Sequence, residues 1–297
     1  MIRHNHCPLC SSEKISFYLK CTDHLVSREE FELFRCTECG FIFTHEYPDE
    51  QEIGRYYESE NYISHDDRAK GLINHLYLGV RDIMLQRKLR IVEKATGLTR
   101  GNILDIGCGT GYFAGTMQDA SWVVTGIEPN EKARDFGVSR FKIKVLPPDR
   151  ISELPDNSFD CITMWHVMEH FHEPVWYSDE IGRLLQKEGI CIAALPNCDS
   201  ADAGYYGSHW AAYDVPRHLW HFNPSTVKLF WEKKGFEIVR IFRLPLDVFY
   251  ISILSEKNKG SKIPFIRGLM SGSMFALKSV LNKNKCSSLI YFLRKNY

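Results

Sequence analysis

The sequence predicts an α/β protein built on a doubly wound, mainly parallel sheet. Three observations carry this. Short apolar runs at about 102–106, 122–127, 141–146, 159–164, 189–195 and 236–242 alternate with helical segments, the order that places helices on both faces of a parallel sheet. The first run passes straight into a glycine-rich turn, Asp105-Ile106-Gly107-Cys108-Gly109-Thr110-Gly111. The second run ends on an acidic residue, Glu128, 17 positions beyond Gly111.

Ahead of the sheet, residues 1–50 carry Cys7-Pro8-Leu9-Cys10 and Cys36-Thr37-Glu38-Cys39-Gly40, two Cys-x-x-Cys knuckles with 25 residues between them. Four thiolates at that spacing (Cys7, Cys10, Cys36 and Cys39) converge on one structural zinc ion, and Pro8 and Gly40 suit tight knuckle turns. Such a metal supplies roughly 10–16 kcal/mol of apparent folding free energy to a segment whose own core is small. Between the knuckles, Phe31-Glu32-Leu33-Phe34-Arg35 alternates as a ribbon strand should. Basic residues are few here, so the ribbon reads as a structural lid or docking element and not as a nucleic-acid binder.

Residues 51–98 are expected to hold a tyrosine-rich connection (Tyr56, Tyr57, Tyr62) and one long helix over 71–97. Leu72, Leu76, Val80, Ile83, Leu85, Leu89 and Val92 recur at near-helical spacing, and Gly97 closes the helix. The core spans 99–246, with helix boundaries read at Pro174 and Gly189 and at Asn223-Pro224 and Gly235. A helical insertion, 247–285, precedes a final strand in 286–297, where Ser287-Ser288-Leu289-Ile290-Tyr291-Phe292-Leu293 is a strong strand candidate.

A glycine-rich turn between strand and helix is a nucleotide-binding element, because the backbone bends tightly and approaches a ligand where a Cβ would clash. Tyr112 stands where a dinucleotide fingerprint would place its third glycine, so the pattern is Gly-x-Gly-x-Gly. Glu128 can accept hydrogen bonds from both hydroxyls of a ribose. Together these residues closely resemble the cofactor site of the class I S-adenosylmethionine-dependent methyltransferases. The resemblance continues through Leu154-Pro155-Asp156-Asn157-Ser158-Phe159-Asp160 and Leu195-Pro196-Asn197, and covers roughly residues 100–245. It implies a Rossmann-like seven-stranded methyltransferase sheet whose last strand runs antiparallel beside the sixth. It also implies S-adenosylmethionine as cofactor, bound by Asp105, Gly107, Cys108, Gly109, Gly111, Glu128 and Trp165, with Asp149 or Arg150 beside the adenine.

Methyl transfer is a displacement that needs alignment, and a base where the acceptor is not already anionic. His166, Glu169 and His170 follow the fourth run, at the carboxyl edge where open α/β sheets bind ligands. His166 or His170 is the expected base, with Glu169 orienting an imidazole. His-x-x-Glu-His is similar to the Glu-x-x-Glu-His segment of small-RNA and ubiquinone-pathway O-methyltransferases, which binds a divalent cation with a later histidine. That similarity implies a second divalent metal completed by His218 or His221, and imidazole in place of the first glutamate disfavours magnesium. The loop 203–210, rich in aromatic and polar side chains, is expected to wall the acceptor pocket.

Lys and Arg total 37 and Asp and Glu total 37, so no overall field draws in nucleic acid. From 244 to 297, however, nine basic residues face two acidic ones, a local +7 on a body of −7. This cationic insertion is a candidate for peripheral membrane contact or a cover for the cleft. No signal-peptide core and no run of 18 apolar residues occurs, and ten cysteines point to metal before disulfides, so the expected location is the cytoplasm. The ribbon and tyrosine stretch resemble sugar C-methyltransferases, which implies a small-molecule, glycan or lipid-linked acceptor methylated on oxygen or carbon. The rival readings are a zinc-finger rRNA methyltransferase and a non-catalytic cofactor-binding protein.

Overall fold

The structure, a computed structural model, describes residues 1–58 and 72–296. At the N-terminus β1 (Ile2–Arg3) pairs antiparallel with β5 (Glu46–Tyr47), while β2 (Ile15–Thr22), β3 (Glu30–Cys36) and β4 (Ile42–Thr44) form a meander. Both knuckles close with the same turn: Ser11 N–H donates to Cys7 O at 2.8 Å and Gly40 N–H to Cys36 O at 2.9 Å. Each turn ends in the left-handed region, Gly40 at φ +76° and Ser11 at φ +62°.

A long helix, α1 (Leu72–Thr96), leads into the main sheet, and Gly97 at φ +72° caps it as expected. Strands β6 (Asn102–Ile106), β7 (Val123–Ile127), β8 (Lys144–Leu146), β9 (Phe159–Trp165), β10 (Leu185–Pro196), β12 (Phe236–Arg243) and β13 (Ser288–Lys295) lie in the order β12-β13-β10-β9-β6-β7-β8. The strands from β10 to β8 run parallel, and β13 runs antiparallel between β10 and β12. The seven-stranded sheet is thus the one the sequence predicts, with the last strand beside the sixth.

Alternation along the strands builds a core on each face. Ile103, Cys161, Ile192 and Ile290 pack with Val92 of α1 and with Phe113 and Met117 of α2 (Tyr112–Asp119). Leu104, Ile162, Cys191 and Leu289 face the other way. They share a cluster with Ile181 of α4 (Pro174–Leu184), Trp231 of a later helix, and Cys7, Leu9 and Phe43 of the ribbon.

Two boundaries differ from the sequence reading. The third run does not begin at 141, because α3 (Glu131–Phe141) continues to Phe141, whose ring packs 5.2 Å from Tyr112, and Lys142 ends the helix at φ +58°. Gly189 is not a helix boundary. The helix α4 stops at Leu184, and Gly189 lies in a register shift of β10, where a Cβ would come within 2.9 Å of the Leu185 side chain. Pro174 opens α4 as expected. Asn223 caps α6 (Pro224–Lys233) with a reciprocal bond to Thr226, Gly235 follows at φ +74°, and between β10 and α6 lie α5 (Ala201–Tyr206) and β11 (Trp220–His221).

The insertion is a helical hairpin, α7 (Asp247–Asn258) and α8 (Pro264–Leu281). Among the described residues no helix is long and apolar enough to cross a membrane. The ribbon is not a separate body: β11 extends its meander as a fourth strand, pairing Trp220 with Phe43 and His221 with Ile42.

Candidate functional site

The glycine turn sits at the carboxyl end of β6, and its three glycines serve different purposes. A Cβ on Gly107 would strike Val167 at 2.5 Å, and one on Gly111 would strike Ile143 at 2.9 Å, so these two permit close packing. Gly109, at φ +54°, meets no heavy atom within 4 Å. It is the glycine whose open side can admit a ligand. Cys108 turns inward, its Sγ filling the place of a side chain on Gly126.

Glu128, at the end of β7, is nearly buried and holds this loop in shape. One oxygen accepts the Gly109 N–H and the other the Asn130 N–H, each at 2.9 Å. Burial pushes its carboxyl above the ordinary value, against the pull of those two amides. Asp105 is buried beneath the turn and accepts a hydrogen bond from Thr163 Oγ1 at 2.6 Å. Burial raises it to about 7, although Thr163 and the charge of Lys88 work the other way.

Lys88 of α1 completes this corner, and the sequence reading missed it. Its amine lies 4.5 Å from the centre of the Trp165 ring and 5.7 Å from that of Phe113. Burial lowers its pKa, opposed by Asp105 and Asp247. A signal existed: Lys88 falls on the apolar side of its helix, between Leu85 and Val92. The Trp165 indole N–H is buried without an acceptor among the described residues. Asp149 is exposed in the turn after β8, and the neighbouring Arg150 is engaged with Glu153 at 2.8 Å.

The residues after β9 form a second group at the same edge of the sheet. His166 adopts φ +59°, a left-handed conformation costing a non-glycine residue about 1–3 kcal/mol. Its Nε2 lies 3.0 Å from Asp247 at the start of α7, and its Nδ1 3.6 Å from Glu169. Burial would lower His166, but the two carboxylates win and raise it to about 9. Asp247 is another residue the sequence reading did not single out, since nothing local ties it to a histidine 81 positions earlier.

Glu169 is 1% exposed, and neither of its oxygens accepts a hydrogen bond among the described residues. Its only charged neighbour on that side among the described residues is His166 at 3.6 Å, beyond hydrogen-bond distance, so the buried carboxylate keeps lone pairs for a further cation. Two imidazoles stand beside it. One ligand atom each from Glu169, His170 and His218 lies within 4.8 Å of the others, and the two rings meet edge to face at 4.5 Å. The proton positions follow from geometry. His170 Nδ1 is 3.0 Å from the Arg217 carbonyl and His218 Nδ1 is 2.8 Å from the Ala212 carbonyl. A carbonyl only accepts, so both Nδ1 atoms carry the proton and both Nε2 atoms keep a lone pair. Metal-binding histidines are oriented in this way.

Burial, with the charge of His218, lowers His170 to about 4. The hydroxyl of Tyr57 lies 3.0 Å from His170 Nδ1; Tyr62 is outside the described residues. His221 is not part of the group: its ring packs against Tyr213, and its Nε2 is 3.3 Å from Thr44 Oγ1.

In the ribbon the four cysteine sulfurs lie within 4.8 Å of one another, with Cys7 to Cys39 and Cys10 to Cys36 at 3.6 Å. A tetrahedral zinc with Zn–S of about 2.3 Å separates its sulfurs by about 3.8 Å. The sulfurs fit that ion, and Cys21 lies elsewhere, in the apolar cluster under the hairpin.

A model of the family "Methyltransferase domain" matches residues 80–241, more than half of the chain. The chain is 28% identical over 118 residues to the ubiquinone biosynthesis O-methyltransferase of Haemophilus ducreyi, covering 36% of this chain and 50% of that protein. It is also 28% identical over 163 residues to the tRNA U34 carboxymethyltransferase of Aeromonas salmonicida, covering 51% and 49%. The chain thus spans about half the length of the curated relatives it matches. Among solved structures, the [4+2]-cyclase SpnF superposes with a TM-score of 0.51 at 20% identity, covering 71% of this chain and 80% of that one, a likeness of fold alone.

Proposed function

The chain belongs to the methyltransferase-domain family, and from that premise we propose that it moves a methyl group from S-adenosylmethionine to oxygen or carbon of a small-molecule, glycan or lipid-linked acceptor. The observation that carries this is the adjacency of two devices at one edge of the sheet: the open Gly109 cradle with Glu128, and the Glu169, His170 and His218 group. The cradle fits the cofactor. Glu128 would accept the ribose hydroxyls on its remaining lone pairs, Gly109 would let the backbone approach, and Trp165 and Asp105 would line the inner wall. When bound, S-adenosylmethionine supplies an electrophilic methyl group.

The second device would hold a divalent ion through Glu169 and the Nε2 atoms of His170 and His218. Two imidazoles and one carboxylate favour a borderline transition-metal ion over magnesium. Such an ion lowers the pKa of a bound hydroxyl by Lewis acidity. His166 takes a different part from a free base, because carboxylates face both of its ring nitrogens. It fixes Glu169 and ties the start of α7 to the site. The zinc of the ribbon, held by Cys7, Cys10, Cys36 and Cys39, would be structural.

A second reading, methylation of RNA, draws on the zinc ribbon and on the similarity to the tRNA-modifying protein of Aeromonas salmonicida; the balanced charge of the body weighs against it. Incubation with methyl-labelled S-adenosylmethionine and a cell extract split into small-molecule, lipid, protein and RNA fractions tests the assignment. Label is expected in the small-molecule or lipid fraction. Label confined to RNA would replace the first reading by the second.

A further inference from the structure

We propose that α8 lies flat on an anionic membrane surface and docks the enzyme there. The helix is turned inside out for a protein in water. Its buried face is Gly268, Gly272, Phe275 and Ser279, mostly small residues. A Cβ on Gly268 would come 2.5 Å from the Ile253 Cα, and one on Gly272 3.2 Å from the Phe249 Cα, so α7 and α8 touch backbone to backbone. The large apolar side chains therefore point outward. Ile266, Met270, Leu277 and Leu281 are 55%, 69%, 65% and 85% exposed, and their spacing of four, seven and four sets them along one stripe. Phe265, 62% exposed, extends it at the first turn. Scattered apolar residues on a surface are ordinary, but a continuous stripe along 18 helical residues, about 27 Å, marks an interaction face.

Charge selects the partner. The chain has no Asp or Glu from 257 to 297. Arg267 and Lys278 lie on the helix, Lys257, Lys259 and Lys262 precede it, and Lys283 follows it, all exposed. Among the described residues none of these six cations pairs with a carboxylate. An apolar stripe with exposed cations at both ends, none of them neutralised by a carboxylate among the described residues, matches a bilayer, which offers acyl chains beneath and anionic headgroups above. The helix is not long and apolar enough to cross it, so the contact is interfacial. The placement has a consequence for the site, since the hairpin begins at Asp247, 3.0 Å from His166. Docking holds the carboxyl edge of the sheet next to the lipid. It stands whether or not a methyl group is transferred.

Sedimentation of the full chain with vesicles tests it. Phosphatidylcholine vesicles containing phosphatidylglycerol should carry the protein down at low salt, pure phosphatidylcholine should not, and added salt should release it. Ile266→Ser with Leu277→Ser should cut the bound fraction at least ~10-fold, since two apolar side chains no longer enter the bilayer. Both positions are exposed, so an unchanged thermal midpoint is expected. Lys262→Glu with Arg267→Glu, which leaves the apolar stripe intact, should cut binding as well and covers the case where the serine variant misfolds. No retention on anionic vesicles, or equal retention by wild type and both variants, overturns the proposal. A dimer in light scattering that the serine substitutions dissolve would assign the face to a second copy of the chain and overturn it too.

Discussion

Gly109 and Glu128 work as one device at the residue scale. The carboxylate that would face the ribose already accepts the Gly109 N–H, so the loop is shaped before any ligand arrives. Gly109→Ala should therefore separate binding from folding. A left-handed alanine costs about 1–2 kcal/mol, readable in urea denaturation. The added methyl enters the one open side of the turn and should weaken cofactor binding at least ~10-fold. Equal affinity would place the ligand elsewhere. The same substitution at Gly107 should unfold more than it unbinds, because its Cβ meets Val167 at 2.5 Å. Sequence patterns made Gly107, Gly109 and Gly111 look alike, since the motif records spacing and not which side of each residue is filled. Lys88 and Asp247 were invisible for a related reason. Each acts through neighbours far along the chain, Trp165 for one and His166 for the other.

Elements, not residues, explain how His218 reaches Glu169. The segment carrying it is clamped to the ribbon: Thr44 Oγ1 donates to the His218 carbonyl at 2.9 Å, and Arg217 bridges Asp23 at 2.9 Å and Asp214 at 2.6 Å. Arg217 and Asp23 are fully buried. Removing one partner from such a pair leaves an uncompensated charge, so Arg217→Ala should cost about 3–5 kcal/mol. The pH dependence follows from Asp23. Burial alone would raise it, but the Ser27 N–H and Arg217 pull it from 3.8 to about 2. A carboxyl depressed by folding contributes stability that is complete above about pH 4 and is lost as pH falls through about 2. Urea midpoints measured between those values should fall for the wild type and change less for Arg217→Ala. The two knuckles and the helix boundaries at Pro174, Asn223 and Gly235 were legible because caps, turns and Cys-x-x-Cys spacing are local. Gly189 misled because a glycine that serves a bulge looks the same as one that ends a helix.

On the scale of the whole molecule, the ribbon, the sheet and the hairpin share their apolar cores. Cys21, Phe31 and Ile42 of the ribbon pack with Tyr206, Trp210, Val248 and Phe275. The ribbon therefore packs against the segment after β10 and against the hairpin, which the sequence, reading a 1–50 module, did not disclose. Metal analysis of the full chain should give about one zinc lost with Cys7→Ser and Cys10→Ser, and a second ion lost with His218→Ala while the zinc stays. Loss of both ions together in His218→Ala would mean that the two sites are not independent. The carboxyl edge of this sheet is where S-adenosylmethionine is proposed to bind, and calorimetric titration of the full chain with that compound is the direct test. One binding site is expected, weakened at least ~10-fold by Glu128→Ala and left intact by His218→Ala. No heat of binding to the wild type, or unchanged affinity in Glu128→Ala, would contradict it.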